Sequence, residues 1–230
     1  MNAFQENLIT LLKDKGAALL GFAQLQTITD GRWKSGLAIA TAIPRHVIRS
    51  ISDGPTLPYY EAYNSLNATL HSLALEAEAY IKSHGYHALA QTKDVVKQGP
   101  DYRTPMPHKT IAVHAGLGWI GKSALLVTPE FGSAVRLTSV LTDAEFDYGT
   151  PITSSRCGSC TNCTNACPGN AVSGKNWAPD IDRDEFYNPY SCRKTARKLA
   201  FDMLNKEVTL CGKCIEVCPY TQKYLSSGTD

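Results

Sequence analysis

The first 156 residues of this chain contain no cysteine, although the full sequence of 230 residues contains eight. This absence argues against a disulfide framework, which spreads its cysteines through the fold of a secreted protein. The sequence also has no run of about 20 apolar residues that could span a membrane. Its start lacks the basic and apolar regions of a signal peptide. We therefore expect a cytoplasmic protein without membrane contact. A net charge of +2 does not by itself indicate a nucleic-acid-binding surface.

All eight cysteines lie between residues 157 and 218, in two runs with one cysteine between them. The first run reads C-x2-C-x2-C-x3-C-P and the second reads C-x2-C-x3-C-P. In ferredoxins that hold two [4Fe-4S] clusters, the last cysteine of each run binds the cluster of the other run. Structural zinc sites use paired C-x2-C knuckles instead, and the run that ends in Cys-Pro is unusual for them. The spacing therefore predicts two clusters. The expected ligand sets are Cys157, Cys160, Cys163 and Cys218 for the first cluster, and Cys167, Cys192, Cys211 and Cys214 for the second.

The N-terminal part alternates between helix and strand patterns. Apolar residues recur three or four positions apart in two stretches, which predicts helices at 3–15 and 58–83. Short apolar runs predict strands at 17–23, 36–43, 86–91, 125–128 and 134–142. Turn-forming residues predict loops at 52–58 and 93–107. The sequence thus predicts an α+β fold, with an α/β body at 1–150 and a two-cluster ferredoxin-like domain at 151–230.

The glycine-rich stretch from Gly116 to Ser123 matches two phosphate-binding patterns. It has the form G-x-x-x-x-G-K-S of a P-loop, and it contains the G-x-G-x-x-G of dinucleotide sites. Both sites need a helix that begins directly after the glycines, but residues 124–128 are typical of a strand. Asp143 also lies 27 residues past Gly116, whereas dinucleotide sites place an acidic residue about 20 residues on. The stretch is therefore expected to let the backbone approach a large flat ligand, or to be a tight turn.

Residues 115–128, the following 132–137 and the two cysteine runs together resemble the epoxyqueuosine reductases. The resemblance implies a cobalamin-dependent enzyme with two [4Fe-4S] clusters, distantly similar to the reductive dehalogenases. It also implies that the N-terminal body is nitroreductase-like and holds the corrin, and that the clusters relay single electrons to cobalt. The cofactor-binding residues that it implies are Gly116, Leu117, Gly118, Trp119, Gly121, Lys122 and Ser123.

The sequence departs from that family in two places. The family continues into a C-terminal helical-repeat extension that helps hold tRNA, whereas this sequence ends twelve residues after Cys218. The family's proposed proton donor is an aspartate upstream of the glycines, and ungapped counting places Tyr102 there, beside Asp101. A tyrosine is protonated at pH 7 and could donate a proton, as in the reductive dehalogenases. We therefore expect Tyr102 and Asp101 at the catalytic site, and a small-molecule substrate. The departures argue against tRNA as a partner.

Two further features have both a functional and a structural interpretation. His108 and His114 could contact a corrin or be ordinary structural histidines. A basic helical segment follows Cys192, and it could dock an acidic electron donor such as reduced flavodoxin or ferredoxin, or be a solvated face. Its members are Arg193, Lys194, Arg197 and Lys198. The leading prediction is an iron–sulfur oxidoreductase that passes electrons to a corrinoid. The alternatives are a ferredoxin-type electron carrier without corrinoid and an iron–sulfur ATPase that acts as a reductive activator.

Overall fold

The sequence pattern of alternating helices and strands is borne out in a computed structural model, which describes residues 2–26, 28 and 31–228. The strands are β1 (Leu19–Gln24), β2 (Ser35–Ala42), β3 (Ala88–Ala90), β4 (Trp119–Ile120), β5 (Leu126–Val127) and β6 (Val135–Thr142). The helices are α1 (Ala3–Asp14), α2 (Arg45–Arg49), α3 (Leu57–Ser83), α4 (His108–His114), α5 (Asn162–Asn165), α6 (Arg183–Phe186), α7 (Pro189–Leu204), α8 (Lys213–Glu216) and α9 (Pro219–Ser226).

These elements form two units, each assembled from separate parts of the chain. The first unit contains Met1–Thr41, Leu66–Gly118 and Arg136–Ile152. The second unit contains Ala42–Ser65, Trp119–Val135 and Thr153–Asp230. The division therefore differs from the predicted single boundary at residue 150, because two segments from the N-terminal part pack with the C-terminal cysteine region.

A four-stranded sheet in the order β1-β2-β6-β3 organises the first unit. β1 and β2 are antiparallel, with Leu19 opposite Ala40, and β3 and β6 are also antiparallel. Their side chains pack with α1 and α3 in one hydrophobic cluster. Fully or nearly fully buried members include Leu8 and Leu12 of α1 and Leu73 and Ile81 of α3. The apolar faces that predicted these two helices are thus the faces that form the core.

The second unit contains a small hairpin and several short helices. β4 and β5 pair in antiparallel fashion, with Trp119 opposite Val127. No helix begins directly after Ser123 in the described chain, where a turn leads into β5. This arrangement matches the sequence argument against a P-loop or a dinucleotide site. Helices α2 and α5 to α9 are short, apart from the 16-residue α7.

The predicted loop at 93–107 is irregular, as its proline content indicated. Among the described residues, none of the helices combines the length and the apolar character required to cross a bilayer.

Candidate metal centre

Each cysteine run folds into a tight turn followed by a short helix. The amide of Cys160 donates to the carbonyl of Cys157 at 3.0 Å in the first run. In the second run, Gly212 takes a left-handed conformation just before α8. The side-chain amide of Asn162 donates to the carbonyl of Val217 at 3.3 Å, which joins the two runs. Helices α5 and α8 also contact each other. The chain therefore brings together two cysteine runs that are about 50 residues apart in sequence.

Cys192 is positioned by the first turn of α7. The Asn188 side chain caps this helix by accepting a hydrogen bond from the Ser191 amide at 3.0 Å. Pro189 occupies the first turn, where its missing N–H costs no hydrogen bond. The Cys192 amide donates to the Asn188 carbonyl at 3.1 Å. This cap holds the isolated cysteine at a rigid helix start.

The first predicted ligand set is also an electrostatic group. Burial is the largest cause that raises the pKa of the Cys163 thiol, which reaches about 11. Three nearby thiols then raise this pKa further because adjacent negative charges repel each other. These neighbours are Cys157, Cys218 and Cys160. They are the three cysteines that the spacing placed with Cys163, and one of them comes from the second run.

The second predicted set shows the same grouping. Burial raises the pKa of the Cys211 thiol, and the neighbouring charges that add to it come from Cys192 and Cys167. Burial is also the main cause of the raised pKa of Cys214, whose cysteine neighbours include Cys211 and Cys192. Cys163 of the first set contributes to that shift as well. The two sets are therefore adjacent. Metal binding would overcome these raised pKa values, because a coordinated thiol is deprotonated outright.

Hydrogen bonds reach the sulfur atoms of the second set. The amide of Ala171 donates to Cys167 Sγ at 3.2 Å. The Tyr187 side chain is hydrogen-bonded to Cys192. Burial, followed by the charge of Cys192, raises the pKa of the Tyr187 phenol well above its usual value. Tyr187 therefore keeps its proton and acts as the donor. Tyr187 could not be predicted from the sequence, because no spacing rule links a tyrosine to a cysteine five residues later.

The end of the glycine-rich stretch lies at the first cysteine set. Gly121, Lys122 and Ser123 line one cavity together with Cys157, Cys160, Cys163, Cys214 and Cys218. A Cβ atom on Gly121 would lie 2.8 Å from Val127 Cγ2 and 3.6 Å from Cys157 Sγ. Gly121 is therefore required by its close contact with Val127, and Cys157 Sγ lies at ordinary contact distance beside it.

The beginning of the stretch has a packing role within the first unit. A Cβ atom on Gly116 would lie 2.7 Å from the Thr150 carbonyl oxygen. The Leu117 side chain packs against Gly21, where a Cβ atom would lie 2.8 Å from Leu117 Cδ2. Gly116 and Gly121 thus both lie where a side chain would collide with neighbouring protein atoms, as a tight structural turn requires. The role of the stretch in binding a corrinoid stays a prediction.

Tyr102 and Asp101 lie in a hydrogen-bonded turn of the first unit. The Gly99 amide donates to the Arg103 carbonyl at 2.8 Å, and the Asp101 carboxylate pairs with the Arg103 guanidinium at 3.2 Å. Tyr102 has φ +61°, in the left-handed region that non-glycine residues rarely adopt. Such backbone strain is more frequent at functional sites than elsewhere. The turn fixes Tyr102 and Asp101 next to each other, and their catalytic role stays a prediction.

His108 and His114 are both neutral at pH 7. Burial, assisted by the charge of Arg136, lowers the pKa of His108 to about 4. His108 Nδ1 lies 2.8 Å from Ser139 Oγ, at hydrogen-bond distance. Burial also lowers the pKa of His114. The Ser139 contact gives His108 a structural partner within its own unit.

The basic segment after Cys192 lies on α7, as the sequence predicted, and part of its charge is paired. Lys198 forms an ion pair with Asp202 one turn later. Arg197 lies 3.8 Å from Glu207. Exposed pairs of this kind contribute little stability. The positive potential of this face is therefore smaller than the sequence alone indicates.

The described part of the chain contains no group of three His, Cys, Asp or Glu side chains close enough to hold a single metal ion. The identity of the metal centre therefore rests on the cysteine spacing and on a family match. Residues 156–221 match the family model of a 4Fe-4S double cluster binding domain. This match covers all eight cysteines and confirms the prediction of two [4Fe-4S] clusters.

The sequence comparisons confirm the resemblance to epoxyqueuosine reductases. The enzyme of Listeria monocytogenes is 37% identical over 119 residues, which are 49% of this chain and 29% of that protein. The enzyme of a Synechocystis species is 32% identical over 121 residues, which are 52% of this chain and 41% of that protein. The matched parts are thus less than half of these relatives' own length.

Solved structures share the fold of nearly the whole chain. An epoxyqueuosine reductase bound to an epoxyqueuosine-modified tRNA stem loop has a TM-score of 0.61 at 23% identity, over 95% of this chain and 65% of that one. A catabolic reductive dehalogenase with bound 3-bromo-4-hydroxybenzoic acid has a TM-score of 0.68 at 16% identity, over 94% and 31%. A reductive dehalogenase described as B12-dependent has a TM-score of 0.65 at 16% identity, over 93% and 31%. These likenesses establish the mixed helix-and-sheet fold.

One sequence-based expectation is wrong. The departures from the family argued against tRNA as a partner, but the sequence relatives are epoxyqueuosine reductases and one structural neighbour holds a tRNA stem loop. The expectation relied on the position of the last residue and on Tyr102 at the position of the family's aspartate. A chain end carries no information about the substrate that the folded part binds, and a change of proton donor does not identify the substrate.

Proposed function

We propose that this protein is an iron–sulfur oxidoreductase that passes single electrons through two [4Fe-4S] clusters to a bound corrinoid. The observation that carries the proposal is the likeness over more than nine-tenths of the chain to two kinds of reductase. One kind is named epoxyqueuosine reductase, and the other is described as B12-dependent. A ferredoxin needs only its cysteine region, so an additional α+β unit supports a second bound group.

The cysteine region supplies the ligands in this proposal. The first cluster is held by Cys157, Cys160, Cys163 and Cys218, and the second by Cys167, Cys192, Cys211 and Cys214. Both the spacing and the electrostatic grouping of the thiols support these sets. The adjacency of the sets, seen in the influence of Cys163 on Cys214, suits electron transfer from one cluster to the other.

The N-terminal part is proposed to be nitroreductase-like and to hold the corrinoid and the substrate. A bound corrinoid supplies a strongly reducing cobalt centre. We assign proton delivery to Tyr102, with Asp101 beside it, because both lie in the strained turn of the first unit. Reduced flavodoxin or ferredoxin in the cytoplasm is the proposed electron source, and the basic residues of α7 are its proposed docking face.

For the substrate, the first candidate is a modified nucleoside carried on tRNA. The sequence relatives are named for this chemistry, and one neighbour is solved with an epoxyqueuosine-modified stem loop. The second candidate is a small halogenated aromatic compound. It is favoured by a tyrosine at the position of the proton donor and by the neighbour that holds 3-bromo-4-hydroxybenzoic acid.

The test begins with anaerobic reconstitution, iron and sulfide analysis, and a spectral titration with cobalamin. We expect about eight irons per chain and saturable cobalamin binding. About eight irons without cobalamin binding would instead identify a ferredoxin-type carrier. The protein loaded with iron–sulfur clusters and cobalamin is then assayed with an epoxyqueuosine-modified tRNA stem loop and with 3-bromo-4-hydroxybenzoic acid. Tyr102→Phe should abolish turnover and keep iron and cobalamin, whereas Tyr86→Phe, which alters an exposed tyrosine of the same unit, should keep turnover.

A further inference from the structure

Lys122 is a buried lysine beside the first cysteine set. Only 4% of its surface is exposed, and it lines the same cavity as Cys157 and Cys163. Its ammonium donates a hydrogen bond to the carbonyl oxygen of Cys160 at 2.9 Å. Lysine is among the residues that are almost never fully buried unless they are paired.

Among the residues that the structure describes, no carboxylate pairs with this ammonium. None of the ion pairs within residues 2–26, 28 and 31–228 involves Lys122. Lys213, in the second cysteine run, differs because it pairs with Glu216 at 2.9 Å and donates to the Ser52 carbonyl at 2.7 Å. An ammonium has three donors, and a single carbonyl neither satisfies them nor neutralises the charge. Within the described part of the chain Lys122 thus has no anion beside it, and a bound group would have to supply one.

We propose that Lys122 is the counter-charge of the first [4Fe-4S] cluster and raises its reduction potential. Four thiolate ligands make the cluster complex negative, and reduction adds one further electron. A fixed positive charge in a buried site stabilises the more negative, reduced form. This inference rests on the proposed cluster ligands, but it does not depend on a corrinoid or on a substrate.

The Gly-Lys pair of the glycine-rich stretch is placed at the cysteines by the backbone. Gly121 packs closely against Val127, where a Cβ atom would lie 2.8 Å from Val127 Cγ2. The next residue, Lys122, lines the cavity of the cysteines. Lys122, which resembles the phosphate-binding lysine of a P-loop, thus faces the negatively charged first cluster instead of a phosphate.

The experiment compares three variants of the full, anaerobically reconstituted chain. Lys122→Gln removes the charge but can still donate to the Cys160 carbonyl. Lys122→Arg keeps the charge. Lys223→Gln is the matched control, since it removes an exposed lysine of the same unit, where solvent screens the charge. Iron content is measured first, and the midpoint potentials of both clusters are then measured by EPR-monitored titration.

We expect Lys122→Gln to lower the equilibrium constant for reduction of the first cluster at least tenfold, or about 59 mV for one electron. The second cluster should shift less, and Lys122→Arg and Lys223→Gln should stay close to the wild type. An unchanged potential in Lys122→Gln with both clusters present would overturn the proposal, because the hydrogen bond alone would then explain Lys122.

Loss of the first cluster from Lys122→Gln would also show whether the positive charge of Lys122 is required, once it is compared with Lys122→Arg. If Lys122→Arg keeps about eight irons while Lys122→Gln keeps about four, the positive charge is required and the proposal stands. If both variants lose the first cluster, the site needs the shape of lysine rather than its charge, and the proposal fails. A wild-type chain that does not bind about eight irons would instead refute the cluster assignment beneath both proposals.

Discussion

Replacing Gly132 with alanine should destabilise the second unit and increase the rate at which the first cluster is lost. Gly132 has φ +57°, and a Cβ atom there would lie 2.5 Å from Thr221 Oγ1 and 2.6 Å from the Tyr220 carbonyl carbon. Thr221 is fully buried, so its backbone cannot simply move aside. It also accepts a hydrogen bond from the Ser133 amide at 3.1 Å through its hydroxyl. The new methyl group would therefore push on the first turn of α9.

The magnitude has two parts. An alanine in the left-handed region costs about 1–2 kcal/mol, and forcing a methyl group into a packed site costs about 1–3 kcal/mol more. Gly158 is a matched control, because it has φ +53° and a Cβ atom there would meet nothing within 4 Å. Gly158→Ala should therefore be destabilised only by the backbone cost of about 1–2 kcal/mol. The expected difference between the two variants is about 1–3 kcal/mol, or roughly 5 °C in thermal midpoint.

The assay is anaerobic thermal unfolding of the reconstituted proteins at one scan rate, since cluster loss makes unfolding irreversible. A second readout is the rate at which a chelator removes iron. Helix α9 begins at Pro219, directly after the proposed ligand Cys218, so Gly132→Ala should release the first cluster faster than the wild type does. Equal midpoints in Gly132→Ala and Gly158→Ala, or a wild-type rate of iron release in Gly132→Ala, would refute the packing argument.

Three further predictions concern single side chains. Tyr187→Phe removes a hydrogen bond to Cys192 and should lower the potential of the second cluster by roughly 40 mV, the equivalent of about 1 kcal/mol, in a redox titration; an unchanged potential would contradict this role. Cys218→Ala should lose the first cluster and Cys167→Ala the second, so each should keep about four irons per chain by iron analysis. The EPR spectrum of Cys218→Ala should match that of Cys160→Ala, and a match to Cys214→Ala instead would disprove the exchange of ligands between runs. The pKa of His108 is lowered from 6.5 to about 4 in the folded chain. As the pH falls, His108 therefore takes up a proton in the unfolded chain before it does in the folded chain. The free energy of unfolding consequently decreases below pH 6.5. Between pH 7 and pH 5 this loss is roughly 2 kcal/mol; His108→Asn should unfold with a weaker pH dependence over that range, and a wild-type-like dependence would contradict the assignment.

The sequence predicted the elements whose residues follow a local rule. Helices α1 and α3 were found within one or two residues because their apolar faces repeat along the chain. The cysteine sets were predicted because cluster ligands need fixed short spacings. Short helices such as α2 and α5 were not predicted, since four or five residues contain too little periodicity.

Features that depend on distant contacts could not be predicted. The segments 42–65 and 119–135 pack with the cysteine region through contacts such as that of Ser133 with Thr221, which are 88 residues apart. The glycine-rich stretch showed the same limit. Its pattern indicated a close approach of the backbone to a ligand or a tight turn, but not that Lys122 donates a hydrogen bond to the carbonyl of Cys160, 38 residues later.

Electron delivery from the clusters to a corrinoid is tested by EPR on the wild type and on Cys167→Ala. The reconstituted full chain is loaded with cob(II)alamin and reduced anaerobically with a one-electron donor. If the clusters carry the electrons, the cob(II)alamin signal disappears in the wild type and persists in Cys167→Ala, which is expected to lack the second cluster. Loss of the signal at the same rate in both proteins, or a wild type that binds no cobalamin, would show that the clusters do not deliver electrons to a corrinoid.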